Sequence, residues 1–350
     1  MIEQNQPLMT SLRSLMKNIN STDLIKGKLG VAAGFIYHGS VNDDEESYML
    51  GLDALKQLFV SLKGEQYINS IRELPCTGYV VESLSRNDLL EVDTDEILSD
   101  TDQLITHKSS LFTFSKGYYF EGLMFPYYLA GRLHEREVGI SNFMILQMLI
   151  VNLIDITSHL DVIIDMMQDE EDPGQYIAVI FNIYSLALHL DSISVCNAFS
   201  DNLLNKIRNI DFGSWSTTTP GMYHSIMSSI VSGNLAEARS SFFLLVEPGN
   251  YFDIVEKFQL SHQELIALFF TAKSRHLSSI NIWEDLGMEI LSIFKDYVQY
   301  DPNIDAGLKR DLGLGGLGGY LFLKDATKSN FTEDILNVLT LLTTTNRNTK

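Results

Sequence analysis

The most literal chemical motif in the chain is a glycine-rich run at residues 313–318. It reads Gly-Leu-Gly-Gly-Leu-Gly and matches the G-x-G-x-x-G pattern of dinucleotide-binding loops. Such a loop binds a pyrophosphate when a strand precedes it and the whole lies in a βαβ unit. The preceding residues 305–310 do not read as a strand. The run therefore predicts close helix packing rather than nucleotide binding.

A second candidate is the acidic run at residues 169–172, which could bind magnesium in the way that diphosphate-using enzymes do. Pro173 and Gly174 follow it directly and mark a loop. The run is therefore interpreted as a solvated loop, and so is the acidic run at residues 42–46.

Other residues with chemical potential are scattered. The chain has no G-x-S-x-G, H-E-x-x-H, Walker or C-x-x-C motif. Residues 134–137 are interpreted as an exposed, charged helix end. Cys196 lies in an apolar stretch and is interpreted as an inert core thiol.

The composition describes an acidic globular chain. Its 350 residues are 45% hydrophobic and 20% charged, with a formal net charge of −20. That charge repels phosphate groups, which argues against nucleic acid and against anionic membranes as partners. No signal peptide is recognised, and polar residues interrupt the longest apolar run, at 143–156. We therefore expect a cytoplasmic protein without membrane insertion, and the two distant cysteines predict no disulfide framework.

Apolar residues recur at three- and four-residue spacing along most of the chain, which predicts an all-α protein. Signals for strands and hairpins are absent, and no Ser- or Pro-rich linker divides the sequence. We therefore expect one domain over residues 1–350. The predicted helical segments are 8–16, 49–62, 97–105, 143–167, 177–190, 203–210, 222–231, 264–272, 282–298 and 335–342.

Helix entries that contain glycine recur at spacings of about 40–60 residues, enough for one helical hairpin each. This pattern predicts an α/α toroid of about seven hairpins. Apolar inner helices pack closely through their glycines, and amphipathic outer helices shield them from water. A plain helical bundle with capping glycines is the alternative. The entries lie at 27–35, 77–82, 116–123, 215–221 and 313–320, with weaker copies at 175–178 and 260–263.

The last three entries share an order of residues with a known family. A Trp-Ser-Thr-Thr-Thr-Pro-Gly run is followed about 40 residues later by Ser-His, and then by the glycine-rich run. This order resembles the lanthionine synthetase C-like family, the lanthipeptide cyclases, which are seven-repeat α/α toroids. Residues 27–32 resemble the family's first inner helix, and residues 78–84 with 93–98 its second hairpin. The motif residues are Trp215, Gly221, Ser261, His262, Gly313 and Gly316.

The resemblance implies a zinc site, from which this chain departs residue by residue. In the family, two cysteines and a histidine bind zinc, which activates a cysteine thiol of a precursor peptide. The thiol then adds to a dehydrated Ser or Thr. Here the cysteine positions are Ser216 and Ser261, and only His262 is retained. A serine hydroxyl is far harder to deprotonate than a thiol, so we expect no zinc and no other cofactor.

These departures leave open whether the chain is an enzyme, and no catalytic residue is assigned. We expect a divergent, zinc-less homologue that binds or scaffolds a precursor peptide, with a dehydratase as a second candidate partner. The alternative is an active cyclase with zinc as its cofactor, whose site lies elsewhere than at these positions. In a toroid, Cys76, His224 and His262 could together rebuild a ligand set. A third hypothesis is a toroid enzyme for a glycan or isoprenoid, but no pair of acidic residues supports it.

Overall fold

A computed structural model describes residues 27–64, 70–109, 114, 118–134, 136, 139, 142–169 and 174–209 of the chain. Within them 85% of the chain is helical and no strand occurs, which confirms the predicted all-α class. A 3₁₀ turn at Ser194–Cys196 precedes the last helix. The helices are α1 (Lys28–Val41), α2 (Glu45–Gly64), α3 (Ser70–Arg86), α4 (Thr94–Ile97), α5 (Ser99–Ser109), α6 (Tyr119–Leu133), α7 (Phe143–Asp169), α8 (Gly174–Leu190) and α9 (Asn197–Arg208).

Helices that are buried on all sides alternate with amphipathic ones. Every residue is buried at positions 29–39 of α1, 74–84 of α3 and 122–133 of α6. In contrast, α2, α5, α7 and α9 each keep one exposed face. A helix that is apolar all round has to be surrounded by other elements, whereas an amphipathic helix can cover the core on one face only. The alternation follows directly from the apolar patterns of the segments.

The contacts between helices form two layers. The buried helices pack in chain order, α1 on α3, α3 on α6 and α6 on α8. The amphipathic helices α5, α7 and α9 also contact one another in chain order. Each of α2, α5, α7 and α9 covers the buried helix of its own hairpin. A layer of buried helices and a layer of amphipathic helices are therefore present in the described part of the chain.

Glycines set the distance between neighbouring helices. A Cβ atom on Gly78 of α3 would lie 2.3 Å from Cε2 of Tyr128 on α6. In the reverse direction, a Cβ on Gly131 of α6 would lie 3.0 Å from Cδ2 of Tyr79. The two helices thus approach through a reciprocal pair of glycines and tyrosines. This confirms the predicted packing role of the glycine in the second entry.

Helix boundaries differ from the sequence prediction in several places. The helix entry predicted at residues 77–82 lies inside α3, which already begins at Ser70. Residues 42–44 form the turn between α1 and α2, but Glu45 and Glu46 already belong to the first turn of α2. Negative charges there stabilise the helix, because they interact favourably with its dipole. The predicted segment 97–105 is broken at Leu98, which separates α5 from the short helix α4; Asp93 caps the N-terminus of α4. The last described helix begins at Asn197 rather than at residue 203. The predicted segments at 8–16 and beyond residue 210, and acidic residues 170–172, lie outside the described residues.

Helix α7 extends well beyond the apolar run at residues 143–156. By length and composition alone its portion Phe143–Met166 could cross a membrane, with 39% of its most apolar window buried. A single helix of this kind is weak evidence, because core helices of soluble proteins meet the same criterion. The prediction of a cytoplasmic location therefore stays a prediction.

We predict that Gly78→Ala destabilises the fold. The new methyl group would meet the fully buried ring of Tyr128, and this overpacking should cost about 1–3 kcal/mol. Alanine has the better helix propensity, which offsets about 1 kcal/mol of that cost. Urea unfolding would measure the loss. Gly139→Ala is the control, since no atom lies within 4 Å of its Cβ position. Equal stability of both variants would contradict the packing role of Gly78.

Candidate functional site

The structure does not test the site predicted from the motifs. Ser216, Ser261 and His262 lie outside the described residues. Of the alternative ligand set, only Cys76 is described, and it is buried in α3. Among the described residues, no group of three or more His, Cys, Asp and Glu side chains could hold a metal ion. The other motif residues outside the described part are Trp215, Gly221, His224, Gly313 and Gly316.

The second cysteine behaves as predicted. Cys196 is fully buried at the end of the 3₁₀ turn before α9. Burial raises the pKa of its thiol to about 11, because the thiolate would lose its solvation. A thiol that stays protonated at neutral pH is a poor nucleophile and a poor metal ligand. The prediction that Cys196 lies in the core is confirmed, and its burial favours an inert thiol.

The main polar feature of the described residues is a cluster of three carboxylates and two guanidinium groups, here called the arginine cluster, in which Glu82 and Arg132 are buried and Asp95 is exposed. It lies where the C-terminal halves of α3 and α6 meet α4 and α5. Neither its existence nor its partners were predicted. Its ionic members are Glu82, Asp95, Asp102, Arg132 and Arg136.

Arg132 is the centre of this cluster, with only 3% of its side chain exposed. Its Nε and Nη2 donate to the two carboxylate oxygens of Asp102, at 3.1 and 2.8 Å, in a bidentate pair. Nη1 donates to Oε2 of Glu82 at 2.6 Å and to Oγ1 of Thr94 at 3.2 Å. Nη2 also donates to Oδ1 of Asp95 at 2.9 Å. These bonds match the five N–H groups of the guanidinium, which is what a buried arginine requires.

Arg136, in the segment after α6, binds several of the same acceptors as Arg132. Its Nη2 donates to Oε1 of Glu82 at 2.6 Å and to Oγ1 of Thr94 at 2.9 Å, while its Nη1 pairs with Asp95. Only 29% of its side chain is exposed. The interpretation of residues 134–137 as an exposed helix end is therefore wrong for Arg136. Carboxylates that lie more than 40 residues away in the sequence draw this side chain inward.

The surroundings shift several pKa values in this cluster. Hydrogen bonding to Arg136, and then to Arg132, lowers the pKa of Asp95 below its usual 3.8, although partial burial opposes the shift. Burial alone would lower the pKa of Arg132, but the hydrogen bonds and charge of Asp102 outweigh it and raise the pKa. Burial and the charge of Asp102 raise the pKa of Tyr128 well above 10.0. All these groups thus keep their ordinary charge states at neutral pH.

This arrangement suits structure rather than catalysis. A glycosidase needs one carboxyl group with a raised pKa as its acid, facing a second carboxylate across a substrate. Here Asp95 has a lowered pKa, and the carboxylates of Glu82 and Asp102 bind guanidinium groups. The arginine cluster lies at the C-terminal ends of α3 and α6, and its Glu82 belongs to the second glycine-containing entry, at residues 77–82. The cluster is therefore a clamp between helices.

A second polar group on α7 resembles a catalytic triad only in its composition. Ser158, His159 and Asp155 are neighbours, but both Ser158 Oγ and Asp155 Oδ1 lie near the same ring nitrogen, Nδ1 of His159, at 3.2 and 3.3 Å. A proton relay needs the acid and the nucleophile on opposite ring nitrogens. Moreover, the other carboxylate oxygen of Asp155 accepts a 2.5 Å bond from the backbone N–H of Phe114. The group therefore anchors Phe114 against α7.

Two histidines stack beside the arginine cluster. The rings of His134, at the end of α6, and His189, in the last turn of α8, are 5.2 Å apart between centroids and inclined by 26°. The ring of Tyr79 on α3 lies 6.1 Å from that of His189. These three side chains join the C-terminal halves of three successive buried helices. The sequence contains no local signal for this contact.

Comparison with known proteins returns no match: no family model, no curated protein and no solved structure is similar to this chain.

We predict that Arg132→Met destabilises the protein strongly, by about 3–5 kcal/mol, because the buried Glu82 carboxylate loses one of its two guanidinium partners. Urea unfolding would measure the free energy of unfolding. The matched control is Lys206→Met, which removes the exposed Lys206–Asp161 pair and should cost at most about 1 kcal/mol. A loss no larger than that of the control would contradict the clamp.

We further predict that the ion pairs of Asp95 stabilise the protein at neutral pH and that this contribution is lost in acid. Because its folded-state pKa is lowered, its contribution is complete above the unfolded value and is lost as the pH falls through the folded value. The stability difference between the wild type and Asp95→Asn should therefore be constant from about pH 7 to 5 and shrink below about pH 4. Thermal unfolding across this range would measure it. Asp53→Asn on α2 is the control, since the Asp53 carboxylate is similarly exposed but lies 4.0 Å from Lys56 and does not pair with arginine. A difference that grows on acidification would refute the assignment.

Proposed function

We propose that the chain is a cytoplasmic, single-domain α/α toroid of the lanthionine synthetase C-like kind that binds a precursor peptide without using zinc. The observation that carries the proposal is the Trp215 to Gly221 motif with Ser216 in place of the ligand, followed by Ser261 and His262. Its order matches the family, and its donor atoms do not match zinc.

The described fold supports the toroid. Four successive hairpins, each of a buried and an amphipathic helix, occupy residues 28–208, at about 45 residues per hairpin. Residues 211–350 have the length of about three more hairpins of this size. Moreover, each buried helix contacts the next one in the same layer, which is the arrangement that a closed ring requires. A ring of seven hairpins is the proposed architecture.

The donor set decides against metal chemistry at the motif positions. One imidazole and two serine hydroxyls do not form a zinc site, because neither hydroxyl ionises at neutral pH. The same three groups can still form hydrogen bonds with a peptide, since serine both donates and accepts and imidazole does either. The proposed role is therefore retention of a precursor peptide, for example beside a dehydratase, rather than closure of its thioether rings.

We predict that the purified protein contains far less than one zinc per chain, whereas Ser216→Cys combined with Ser261→Cys restores one zinc per chain. Adding His262→Ala to that variant should remove the metal again. Elemental analysis of the folded proteins would measure all three. Stoichiometric zinc in the wild type would favour the active cyclase, and failure of the double variant to bind zinc would refute the joint placement of the three residues.

A peptide with one cysteine and one dehydroalanine separates binding from catalysis. We expect the wild type to bind it without increasing the rate at which its thiol becomes resistant to alkylation. Fluorescence anisotropy would follow the binding and mass spectrometry the free thiol. Acceleration by the wild-type protein would establish cyclase activity, and absence of binding would count against the peptide-binding role.

A further inference from the structure

The outward face of α7 concentrates exposed apolar side chains. Its buried side packs on α6 and α8 through residues such as Leu149, Leu153 and Leu160. On the opposite side, large apolar residues are 38–58% exposed. This surface, here called the outer α7 face, carries Phe143, Met144, Val151, Ile154, Val162 and Met166.

The spacing of this face fits a single partner helix. The outward positions 144, 147, 151, 154, 158 and 162 follow one another at intervals of three or four residues. Such spacing forms a straight seam along a helix, as it does in helix–helix pairs. From residue 143 to residue 166 the seam is about 35 Å long, at 1.5 Å per residue. Gln147 and Ser158 interrupt its apolar character.

The charges of the face have one sign. Helix α7 contains no Lys or Arg, and the exposed Asp161 and Asp165 lie towards its C-terminal end. The helix dipole already places negative charge at that end, so acidic groups there are unfavourable. Lys206 of α9 compensates Asp161 at 2.7 Å. Additional cations near Asp165 would therefore stabilise this end.

We propose that the outer α7 face binds an amphipathic helix of another protein, with its apolar stripe along the seam and its basic side chains near Asp161 and Asp165. This inference goes beyond the proposed peptide-binding cavity and does not depend on it. A second copy of the chain fits poorly, because α7 offers no cation to the acidic end of its partner and the net charge of −20 is repulsive. A membrane surface fits poorly as well, since both aspartates lie within the exposed face.

The test uses two fluorescent 18-residue amphipathic helices, one of leucine and lysine and one of leucine and glutamate. We expect the full-length protein to bind the lysine peptide and not the glutamate peptide in an anisotropy titration. Ile154→Lys should raise the dissociation constant at least tenfold. Asp165→Lys should raise it several-fold and weaken its dependence on salt concentration. All variants change exposed residues, and circular dichroism would verify their folding.

Two control variants on α2 match these changes away from the face. Val60→Lys places a lysine at an apolar position that is 74% exposed, and Asp53→Lys makes the same charge change as Asp165→Lys. Both should leave binding close to that of the wild type. Losses equal to those at Ile154 and Asp165 would overturn the proposal, as would equal binding of the glutamate peptide.

Two other possible partners of the outer α7 face, a second copy of the chain and a membrane, would give different results. A dimer in sedimentation equilibrium that Ile154→Lys dissociates would assign the face to a second copy instead. Binding to uncharged phosphatidylcholine vesicles that the same substitution abolishes would assign it to a membrane. Either result would overturn the helix-binding proposal.

Discussion

The buried guanidinium of Arg132 holds together four segments that are separate in the chain. Transfer of a charge from water into a protein interior is costly, and the cost is offset only when opposite charges and hydrogen bonds replace the lost water. Here Asp102, Glu82, Asp95 and Thr94 together accept from its five N–H groups. Because these acceptors lie on α3, α4 and α5 while Arg132 lies on α6, this requirement constrains the relative positions of the four helices.

Close helix packing and the polar cluster depend on each other. The absence of a side chain at Gly78 allows the ring of Tyr128 to lie directly against α3. From that position the Tyr128 hydroxyl donates a 2.5 Å hydrogen bond to Asp102, which in turn pairs with Arg132. A glycine on one helix thereby influences an ion pair formed by two others. The polar clamp therefore depends on the apolar contact for its geometry.

These features divide the described molecule by role. The C-terminal ends of α3 and α6 are occupied by groups that bind one another, and this end is specialised for stability. The outer α7 face, in contrast, carries exposed apolar side chains. Thus the clamp can hold the helices in place without occupying that face. Local stability of this kind is what a binding scaffold needs from its framework.

The sequence by itself determined the helical class, the alternation of buried and amphipathic helices, the length of α7 and the burial of Cys196. These properties follow from local periodicity and local composition. Only the tertiary structure decided that Arg132 meets Glu82 and Asp102, and that Arg136 turns inward, because such partners lie 30 to 54 residues away along the chain.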